Sequence, residues 1–447
     1  MNTRRPGTTL PGLVLAAFCI ASTPLRAATP YEVEDLGTLP GDDASVAMGI
    51  NEFGDVVGWS FGPAGARAFL YTDEAGMTAL PAPAGRPTTH ARAVNDAGTV
   101  VGTASSGGTD IGHAVRWQSG TAQDLGTLGT GFFSEARGVN AAGTVVGSSY
   151  TDGGSLLGIH AFRYDVSGMV DLTPSIDDAH AEAINDVDQV AGWRNGRAFR
   201  LTGTTFTDLG VPAGFARSFG YAINGFGQVA GHVASATGNS ERIFRYTDGA
   251  GLVLLGGSGE FNRAYGINDA GDVVGRGRPG LGLQQGFLYT DADGMQGLNA
   301  LIDPDAGWFV LGAGDINDAG QIVGWASGPL GQRAVRLTPI DAGGPPAAPS
   351  ALASVRRLPG SVRLRWTDNS RNEAGFIIDR SVGPRIRFTR LARVGENVTT
   401  YADTKVSAGE IYRYRVRAYN DAGASPWSNI IRIQPSIQPE SSLGSRE

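Results

Sequence analysis

The sequence predicts an all-β protein in which a repeated four-stranded unit is followed by a separate β-sandwich. Three observations lead to this prediction. The dipeptide Ile/Val-Asn recurs seven times at spacings of 39 to 49 residues, short apolar runs alternate with turn residues, and glycine accounts for 67 of 447 residues. Glycine is therefore about twice as frequent as usual without a three-residue period, which indicates many tight turns and excludes a collagen-like chain.

The N-terminus has the order of residues that is typical of a secretion signal. Arg4 and Arg5 precede an apolar run from Leu13 to Ala21, and small residues follow around Ala27. We expect residues 1–27 to be a signal peptide and the mature protein to be periplasmic or extracellular. We expect no transmembrane segment, because no apolar run reaches the roughly 20 residues that a spanning helix needs.

Cysteine content and charge narrow the possible chemistry. The one cysteine, Cys19, lies in the predicted signal peptide, so we expect a mature chain without disulfides, thiolate chemistry or cysteine-ligated metals. Residues 31–344 contain 17 basic and 34 acidic side chains, whereas residues 345–437 contain 15 basic and 7 acidic ones. An acidic body repels nucleic acid, and we expect no nucleic-acid partner.

The repeats align on the asparagine of the recurring dipeptide, which we call the anchor. The anchors are Asn51, Asn95, Asn140, Asn185, Asn224, Asn268 and Asn317. Seven residues after each anchor stands a glycine, here called the late glycine: Gly58, Gly102, Gly147, Gly192, Gly231, Gly275 and Gly324. Four residues before each anchor stands a small residue, alanine or glycine.

Each repeat is expected to contain four short strands. Two apolar strands flank a hairpin turn at the anchor, where Gly54 and its equivalents stand at a position that needs a positive φ. Asp188 replaces that glycine in the fourth repeat, which is tolerable because aspartate visits the left-handed region. An Ala-Phe strand and an Asp-Leu-Gly strand, such as those around Phe162 and Leu209, complete the unit.

Repeated four-stranded units of about 44 residues are typical of propeller blades. The sequence therefore predicts a seven-bladed β-propeller over residues 28–341. Its first Asp-Leu-Gly strand, residues 31–37, is unpaired in sequence order, and the last repeat ends at Leu337 without such a strand. We expect the first strand to complete the last blade and close the ring. An open β-solenoid is the alternative.

The combined pattern of Asp-Leu-Gly-Thr-Leu, Ala-x-x-Ile-Asn-x-x-Gly-x-Val-Val-Gly and His/Arg-Ala-Phe resembles the HAF-type extracellular repeat family. The resemblance covers residues 31–340 and implies a secreted bacterial repeat protein without indicating an activity. The complete tripeptide occurs at His160-Ala161-Phe162, and His113-Ala114-Val115 is close to it.

A second domain is predicted after a Pro/Gly/Ala linker at residues 342–350. Seven short alternating runs over residues 351–435 have the spacing of a β-sandwich. Trp366, Tyr412 and the alternation Tyr412-x-Tyr414-x-Val416-x-Ala418 resemble fibronectin type III domains, in which they would be core residues. Such modules are spacers or adhesive adaptors. Residues 436–447 are expected to be a disordered tail.

No catalytic or metal-binding arrangement is evident in the sequence, and no cofactor is expected. None of the five histidines has metal-ligand spacing to another, so we expect them to be structural or at the surface. The Asn-Asp-Ala-Gly loops lack the alternating carboxylates of calcium loops. No Gly-x-Ser-x-Gly elbow is present.

Connection lengths predict which face of the repeats binds a ligand. The connections from the late glycine to the Ala-Phe strand span 6 to 14 residues, and those from the Asp-Leu-Gly strand to the next small residue span 9 to 15. Both sets are expected on one face, with the tight turns on the other, and variable loops are the usual ligand-binding segments. Acidic residues in these loops are the candidate ligand-binding residues: Asp42, Asp43, Glu135, Asp177, Asp178, Glu260, Asp303 and Asp305.

These observations predict a secreted, non-catalytic binding or adhesion protein. Its partner would be a carbohydrate, such as a polysaccharide, or a cell-surface protein. Two alternatives stay open: a hydrolase or lyase acting on extracellular polysaccharide through converging loop carboxylates, and a structural component of the envelope or matrix.

Overall fold

The computed structural model describes residues 31–107, 112–152, 158–175, 178–280, 282–340, 345–358, 360–370, 372–420 and 423–435. The predicted signal peptide and the predicted C-terminal tail lie outside these residues. The described part of the chain is all-β, and its helical residues form two short 3-10 turns, Leu298–Ala300 and Pro304–Ala306.

The repeat region contains strands β1 to β28. They are β1 (Tyr31–Asp35), β2 (Ala44–Ile50), β3 (Val56–Gly62), β4 (Gly65–Thr72), β5 (Gly76–Ala79), β6 (Thr88–Val94), β7 (Val100–Ser105), β8 (His113–Gln118), β9 (Thr121–Asp124), β10 (Ser134–Val139), β11 (Val145–Tyr150), β12 (Ile159–Asp165), β13 (Gly168–Asp171), β14 (Ala179–Ile184), β15 (Gln189–Arg194), β16 (Arg197–Thr202), β17 (Thr205–Asp208), β18 (Arg217–Ile223), β19 (Val229–Ala234), β20 (Glu241–Thr247), β21 (Gly251–Gly256), β22 (Arg263–Ile267), β23 (Val273–Gly277), β24 (Gln285–Thr290), β25 (Gly294–Gly297), β26 (Phe309–Ile316), β27 (Ile322–Gly328) and β28 (Gly331–Pro339).

These strands form small antiparallel sheets of four strands each. Six sheets, counted within the described residues, use consecutive strands: β2–β5, β6–β9, β10–β13, β14–β17, β18–β21 and β22–β25. A further sheet has the order β1-β28-β27-β26, so the first strand of the chain joins the last three. The register places Tyr31 opposite Pro339 and Asp35 opposite Val335. The predicted pairing of the first strand with the last repeat is confirmed.

The anchor asparagines connect one sheet to the next. Each side chain is buried, and each Oδ1 accepts a hydrogen bond from the N–H four residues on, as in Asn51 with Asp55 at 2.8 Å. Each Nδ2 donates to the main-chain oxygen of another anchor at 2.8 to 3.4 Å. The donor–acceptor pairs are Asn51–Asn95, Asn95–Asn140, Asn140–Asn185, Asn185–Asn224, Asn224–Asn268, Asn268–Asn317 and Asn317–Asn51.

The late glycines stand where two strands approach closely. The second strand of each sheet passes the first so that a Cβ atom at Gly192 would collide with the carbonyl oxygen of His180, and the other six late glycines face the same obstacle. The small residue four before the anchor lies directly opposite, as in the pair Ala181–Gly192. The recurring glycine is thus required by packing within the sheet.

Apolar side chains pack between successive sheets. One cluster, for example, joins Val57 and Ala68 of the first sheet to Ala91 and Val115 of the next. Another joins Ala47 and Phe69 to Val323 and Ala334 of the last sheet. Each sheet therefore buries its apolar faces against neighbouring sheets, which is the packing expected of repeat architectures.

The C-terminal module contains strands β29 to β36. They are β29 (Ser350–Leu358), β30 (Ser361–Thr367), β31 (Gly375–Val382), β32 (Thr389–Val394), β33 (Thr400–Asp403), β34 (Tyr412–Asn420), β35 (Gly423–Ala424) and β36 (Ile431–Ile433). One sheet has the order β29-β30-β33, and the other has the order β32-β31-β34-β35 with β36 also paired to β34. This is a fibronectin type III-like sandwich, as the sequence predicts.

The core of the sandwich contains the two predicted aromatic residues. Trp366 and Tyr412 are 2% and 3% exposed and belong to one apolar cluster with Phe376. The hydroxyl of Tyr412 accepts a hydrogen bond from the main-chain N–H of Ser407 at 2.7 Å. This is the tyrosine-corner contact that joins the start of a strand to the loop before it.

No helix in the described part of the chain is long and apolar enough to cross a membrane.

Candidate functional site

A β-bulge interrupts the first strand of each four-stranded repeat sheet at the same place. The extra residue stands three before the anchor, between the small residue and the strand end, as with Arg92 between Ala91 and Ala93. The bulge residues are Met48, Arg92, Arg137, Glu182, Tyr221, Tyr265 and Gly314. A bulge redirects a side chain and is frequent next to binding sites.

All seven bulge residues line one cavity of about 510 Å³. Aromatic side chains from the second strands also line it: Trp59, Trp193 and Trp325. Val46, His180 and Arg263, two residues before the bulge positions, complete the lining. A smaller cavity of about 190 Å³ shares the bulge residues and adds residues nearer the anchors, such as Asp315. The volume of the larger cavity is within the range of small-molecule sites.

The larger cavity lies toward the end of the sheets that carries the variable connections. In every antiparallel sheet the tight anchor turn is at the end of the first strand, whereas Val46 and Trp59 are paired four positions or more away from it. The connections that vary in length enter the first strand and leave the second strand at this same end. The cavity and the variable loops therefore share one face.

A network of two carboxylates and one guanidinium lies at the cavity. Arg137 Nη2 is 2.6 Å from Glu135 Oε1, and Arg137 Nη1 is 3.6 Å from Glu182 Oε2. The indole N–H of Trp193 donates to Glu182 Oε1 at 3.3 Å. Burial alone would lower the pKa of Arg137, but Glu182 and Glu135 raise the pKa above its usual value. The positive charge of Arg137 is therefore balanced by these two carboxylates.

Arg92 and Arg263 differ from Arg137, because neither forms an ion pair with a carboxylate among the described residues. The Nε atoms of all three arginines are buried and have no hydrogen-bond partner in the described part of the structure, so the difference lies in the ion pairs alone. The Arg92 guanidinium lies over the Trp59 ring, with 5.1 Å between Cζ and the ring centroid. Burial, followed by repulsion from Arg137, lowers the pKa of Arg92.

Three histidines lie among the aromatic side chains at this end. His180 stacks on Trp193 with ring centroids 4.0 Å apart, and its Nδ1 is 2.9 Å from Ser148 Oγ. His90 contacts Trp59 edge-on at 5.0 Å, and burial lowers its pKa to about 4. His232 stacks on Phe219, and burial lowers its pKa to about 3. These imidazoles are neutral aromatic packing groups at neutral pH.

The two histidines that precede the Ala-Phe strand have a different role. His160 Nδ1 is 2.6 Å from Asp171 Oδ2, and His113 Nδ1 is 2.9 Å from Asp124 Oδ2. In the next repeat Arg197 takes the histidine position and lies 2.7 Å from Asp208. Each pair joins the third strand of a sheet to the aspartate of the Asp-Leu-Gly motif or its equivalent. The histidine and arginine alternatives at this position are therefore structural equivalents, as the prediction of structural histidines requires.

The acidic residues predicted from the variable loops, as far as the structure describes them, have separate surroundings. Glu135 alone belongs to the carboxylate network at the cavity. Asp42 is buried against Arg67 at 2.9 Å, which indicates a structural ion pair. Asp303 caps a 3-10 turn by accepting from the N–H of Asp305 at 2.9 Å.

The remaining acidic candidates are at the surface or outside the described residues. Asp43 and Glu260 are exposed. Asp178 has a φ of 61° and lies 3.8 Å from His180 Nε2. Asp177 lies outside the described residues. A ligand-binding role for the eight acids stays a prediction.

Sequence reasoning did not select the bulge residues. The position three before the anchor was available as a signal, because it follows a constant small residue and holds five different residue types in the seven repeats. A strict two-residue alternation does not predict where its side chain points, since the bulge breaks that alternation. Within the described residues, no group of three or more His, Cys, Asp or Glu side chains is arranged to hold a metal ion.

Comparisons with solved structures find fibronectin type III domains among the similar chains. No known family profile matches the chain, and no curated protein matches it. A structure described as a myokine aligns at 19% identity over 20% of this chain and 98% of that one, with a TM-score of 0.19. The human fibronectin type III domain containing protein 3 domain aligns at 17% identity over 22% and 94%, with a TM-score of 0.19. An Fn3-like protein from Clostridium thermocellum aligns at 23% identity over 21% and 97%, with a TM-score of 0.18.

These TM-scores are too low to carry an argument about function. The resemblance of the repeat region to the HAF-type family stays a prediction.

Proposed function

We propose that this chain is a secreted, non-catalytic binding protein that holds a saccharide in the cavity lined by the bulge residues. In this proposal the repeat sheets are the seven blades of a closed propeller, and the fibronectin type III-like module is a basic spacer or docking adaptor. The cavity would be the central ligand site of the propeller, with the variable loops around its rim.

Two contacts support a closed ring over an open solenoid. Strand β1 completes the sheet of β26 to β28, and the side chain of Asn317 donates to the main-chain oxygen of Asn51. An open solenoid would leave the first and last sheets without such a contact. Deletion of residues 31–37 should lower the thermal midpoint markedly, because it removes a strand and exposes two sheet edges. An unchanged midpoint would contradict closure.

The observation that carries the proposed ligand class is the group of three tryptophans in the cavity lining. Indole faces pack well against the apolar faces of sugar rings, while nearby polar groups can bond the hydroxyls. The cavity also presents the phenol groups of Tyr221 and Tyr265. An aromatic lining with a few polar groups is the usual composition of a binding pocket.

The carboxylates near the cavity support binding without turnover. Both Glu135 and Glu182 contact Arg137, and Glu182 also accepts from Trp193. A glycosidase needs two carboxyl groups on opposite sides of the scissile bond, one of them protonated. Two carboxylates that contact one guanidinium lie together rather than on opposite sides of a substrate bond.

The C-terminal module contributes a basic surface to the proposal. Its 15 basic and 7 acidic side chains contrast with the acidic repeat region. Arg415 lies 3.8 Å from the Trp427 ring centroid, and Arg417 lies 4.3 Å from it. Such ordered guanidinium groups suit docking to an anionic cell surface.

The test uses the chain from residue 28 to 447 and a panel of polysaccharides. Bound protein and released reducing ends are measured together, with and without calcium. We expect binding without release, and Trp59→Ala and Trp193→Ala should weaken it about tenfold or more. Phe226→Ala is the matched control, because Phe226 is an exposed aromatic residue at the tight turn of the opposite end.

Each other outcome has a defined meaning. Release of reducing ends would replace the binding proposal with the polysaccharide-degrading alternative. Binding that the tryptophan variants leave unchanged would place the ligand elsewhere on the chain. Failure to bind any saccharide would overturn the proposed ligand class and favour a protein partner or a structural role.

A further inference from the structure

The charges that line the cavity are not balanced. The lining contains Arg92, Arg137, Arg263 and Glu182, and Glu135 contacts the same network. The two carboxylates both lie against Arg137. This leaves the cavity net positive although the repeat region as a whole carries 17 more acidic than basic side chains.

Arg92 has no carboxylate within ion-pair distance among the described residues, and Glu135 and Glu182 act on its charge only from farther away. Its guanidinium lies over the Trp59 ring, and a second cation, Arg137, repels it. Arg137, one bulge position along, has two carboxylates within 4 Å. Arg92 and Arg137 therefore differ in whether a carboxylate is paired with the guanidinium. A bound anion would supply the missing partner of Arg92.

Arg263, which also lines the cavity, likewise has no ion pair with a carboxylate among the described residues. It stands opposite Arg276 in the antiparallel pair of β22 and β23, and the Nε atoms of both are buried without partners in the described part of the structure. Like charges that face each other across a strand pair destabilise a sheet. His232 adds no third positive charge there, because burial, followed by repulsion from Arg263, lowers its pKa and keeps it neutral.

Arg92 and Arg263 are half-buried, and a partly desolvated guanidinium without an ion pair destabilises a fold, since its desolvation is not offset. Two such groups at one cavity indicate that the stabilising anion belongs to the ligand. A carboxylate or sulfate group fits, because guanidinium binds both through two parallel hydrogen bonds. The aromatic lining supplies the sugar-binding surface next to this charge.

We infer that the saccharide held in this cavity is acidic, and that its carboxylate or sulfate groups are bound by Arg92 and Arg263. This inference rests on the proposed function and narrows its ligand class. Arg137 is a positioning residue in this arrangement, since its charge is taken up by Glu135 and Glu182.

The test compares polymers that share a backbone and differ in charge. Polygalacturonate is compared with its full methyl ester, and dextran sulfate with dextran, using the chain from residue 28 to 447. We expect binding to at least one charged polymer and at least about tenfold weaker binding to its neutral counterpart. Preference for one charged polymer identifies carboxylate or sulfate as the group recognised.

Variants separate this inference from the proposed function. Arg92→Gln and Arg263→Gln should each weaken binding of the charged polymer about tenfold or more, and Arg92→Lys should restore only part of it. Arg197→Gln is the matched control, because Arg197 pairs with Asp208 at the exposed outer edge. Equal binding of charged and neutral polymers, unaffected by Arg92→Gln, would overturn the acidic ligand but keep the saccharide site.

Stability without ligand gives a second, independent readout. If Arg92 is held for a ligand, Arg92→Gln should leave the thermal midpoint of the free protein unchanged or raise it, because it removes a half-buried charge that has no ion pair. A midpoint lowered by several degrees would show that Arg92 stabilises the fold and would overturn the inference. Failure of the unmodified chain to bind any of the four polymers would count against the proposed function itself.

Discussion

The Nδ2 group of Asn317 donates a hydrogen bond to the main-chain oxygen of Asn51 at 3.0 Å, although 266 residues separate the two. Six bonds of the same kind join the other anchors in sequence order. The anchor is thus a connector between sheets as well as a turn residue. Its recurrence in the sequence reflects both tasks.

Asn317→Ala should destabilise the protein by about 1–3 kcal/mol, because it leaves buried backbone groups without partners. Urea unfolding followed by tryptophan fluorescence measures the change. Asn239→Ala is the control, since Asn239 is exposed and should leave the unfolding free energy unchanged. Equal curves for Asn317→Ala and the unmodified protein would show that the bond contributes nothing to stability.

Gly192→Ala should destabilise the protein far more than Gly143→Ala. A Cβ at Gly192 collides with the rigid carbonyl of His180, whereas a Cβ at Gly143 meets open space and strains only a φ of +80°. We expect a loss of about 3 kcal/mol or more for the first and about 1 kcal/mol for the second. Comparable losses in denaturant unfolding would contradict the close-approach explanation of the late glycines.

His160→Arg should be tolerated, whereas His160→Ala should cost about 1–2 kcal/mol. Arginine occupies the equivalent position at Arg197 and pairs with the equivalent aspartate, Asp208. Alanine leaves Asp171 without the imidazole contact at 2.6 Å. Thermal unfolding of the two variants measures the difference, and a larger loss for His160→Arg than for His160→Ala would refute the equivalence.

His232 should make the folded state less stable in acid. Its side chain is 3% exposed, its pKa is lowered to about 3, and Glu241 Oε1 is too far away, at 3.9 Å, to bond it. The unfolded chain binds the proton near pH 6.5 and the folded chain does not, so stability is fully present above about pH 6.5 and is lost as the pH falls toward 3.

Comparison with His232→Phe isolates this effect, because phenylalanine keeps the ring that stacks on Phe219 and removes the titration. Between about pH 6 and pH 4 the unmodified protein should lose up to about 1.4 kcal/mol per pH unit relative to the variant. Above pH 7 the difference should be constant. Parallel stability curves over the whole range would mean that His232 takes up its proton in the folded state.

The local pattern of the sequence was enough to predict most of the secondary structure. Short apolar runs flanked by Asn-x-x-Gly predict hairpins because few residues adopt the turn conformation, and Gly54 and Asp188 both have a positive φ in the structure. The lone Asp-Leu-Gly strand likewise predicted its pairing with the last repeat. The alternation around Tyr412 to Ala418 predicted the long strand β34 of the sandwich.

The structural importance of the constant positions could be predicted because every repeat sheet packs in the same way. The late glycine, the small residue and the anchor recur since every sheet has the same close contact and the same junction. Residues that do not recur give less information about their contacts. The loop acids were chosen as candidate ligand-binding residues only because they lie in variable loops. Asp42 shows the difficulty, since its ion pair with Arg67 is a structural contact that no spacing indicated.

The sequence by itself determined the all-β class, the repeat, the pairing of the first strand with the last repeat and the sandwich, because these depend on contacts between residues close in sequence or repeated along it. Only the tertiary structure decided that Arg92, Arg137, Glu182 and Tyr221 share one cavity. The physical reason is that each repeat sheet contributes its bulge residue to the cavity lining, and a bulge breaks the regular alternation from which the direction of a side chain is predicted.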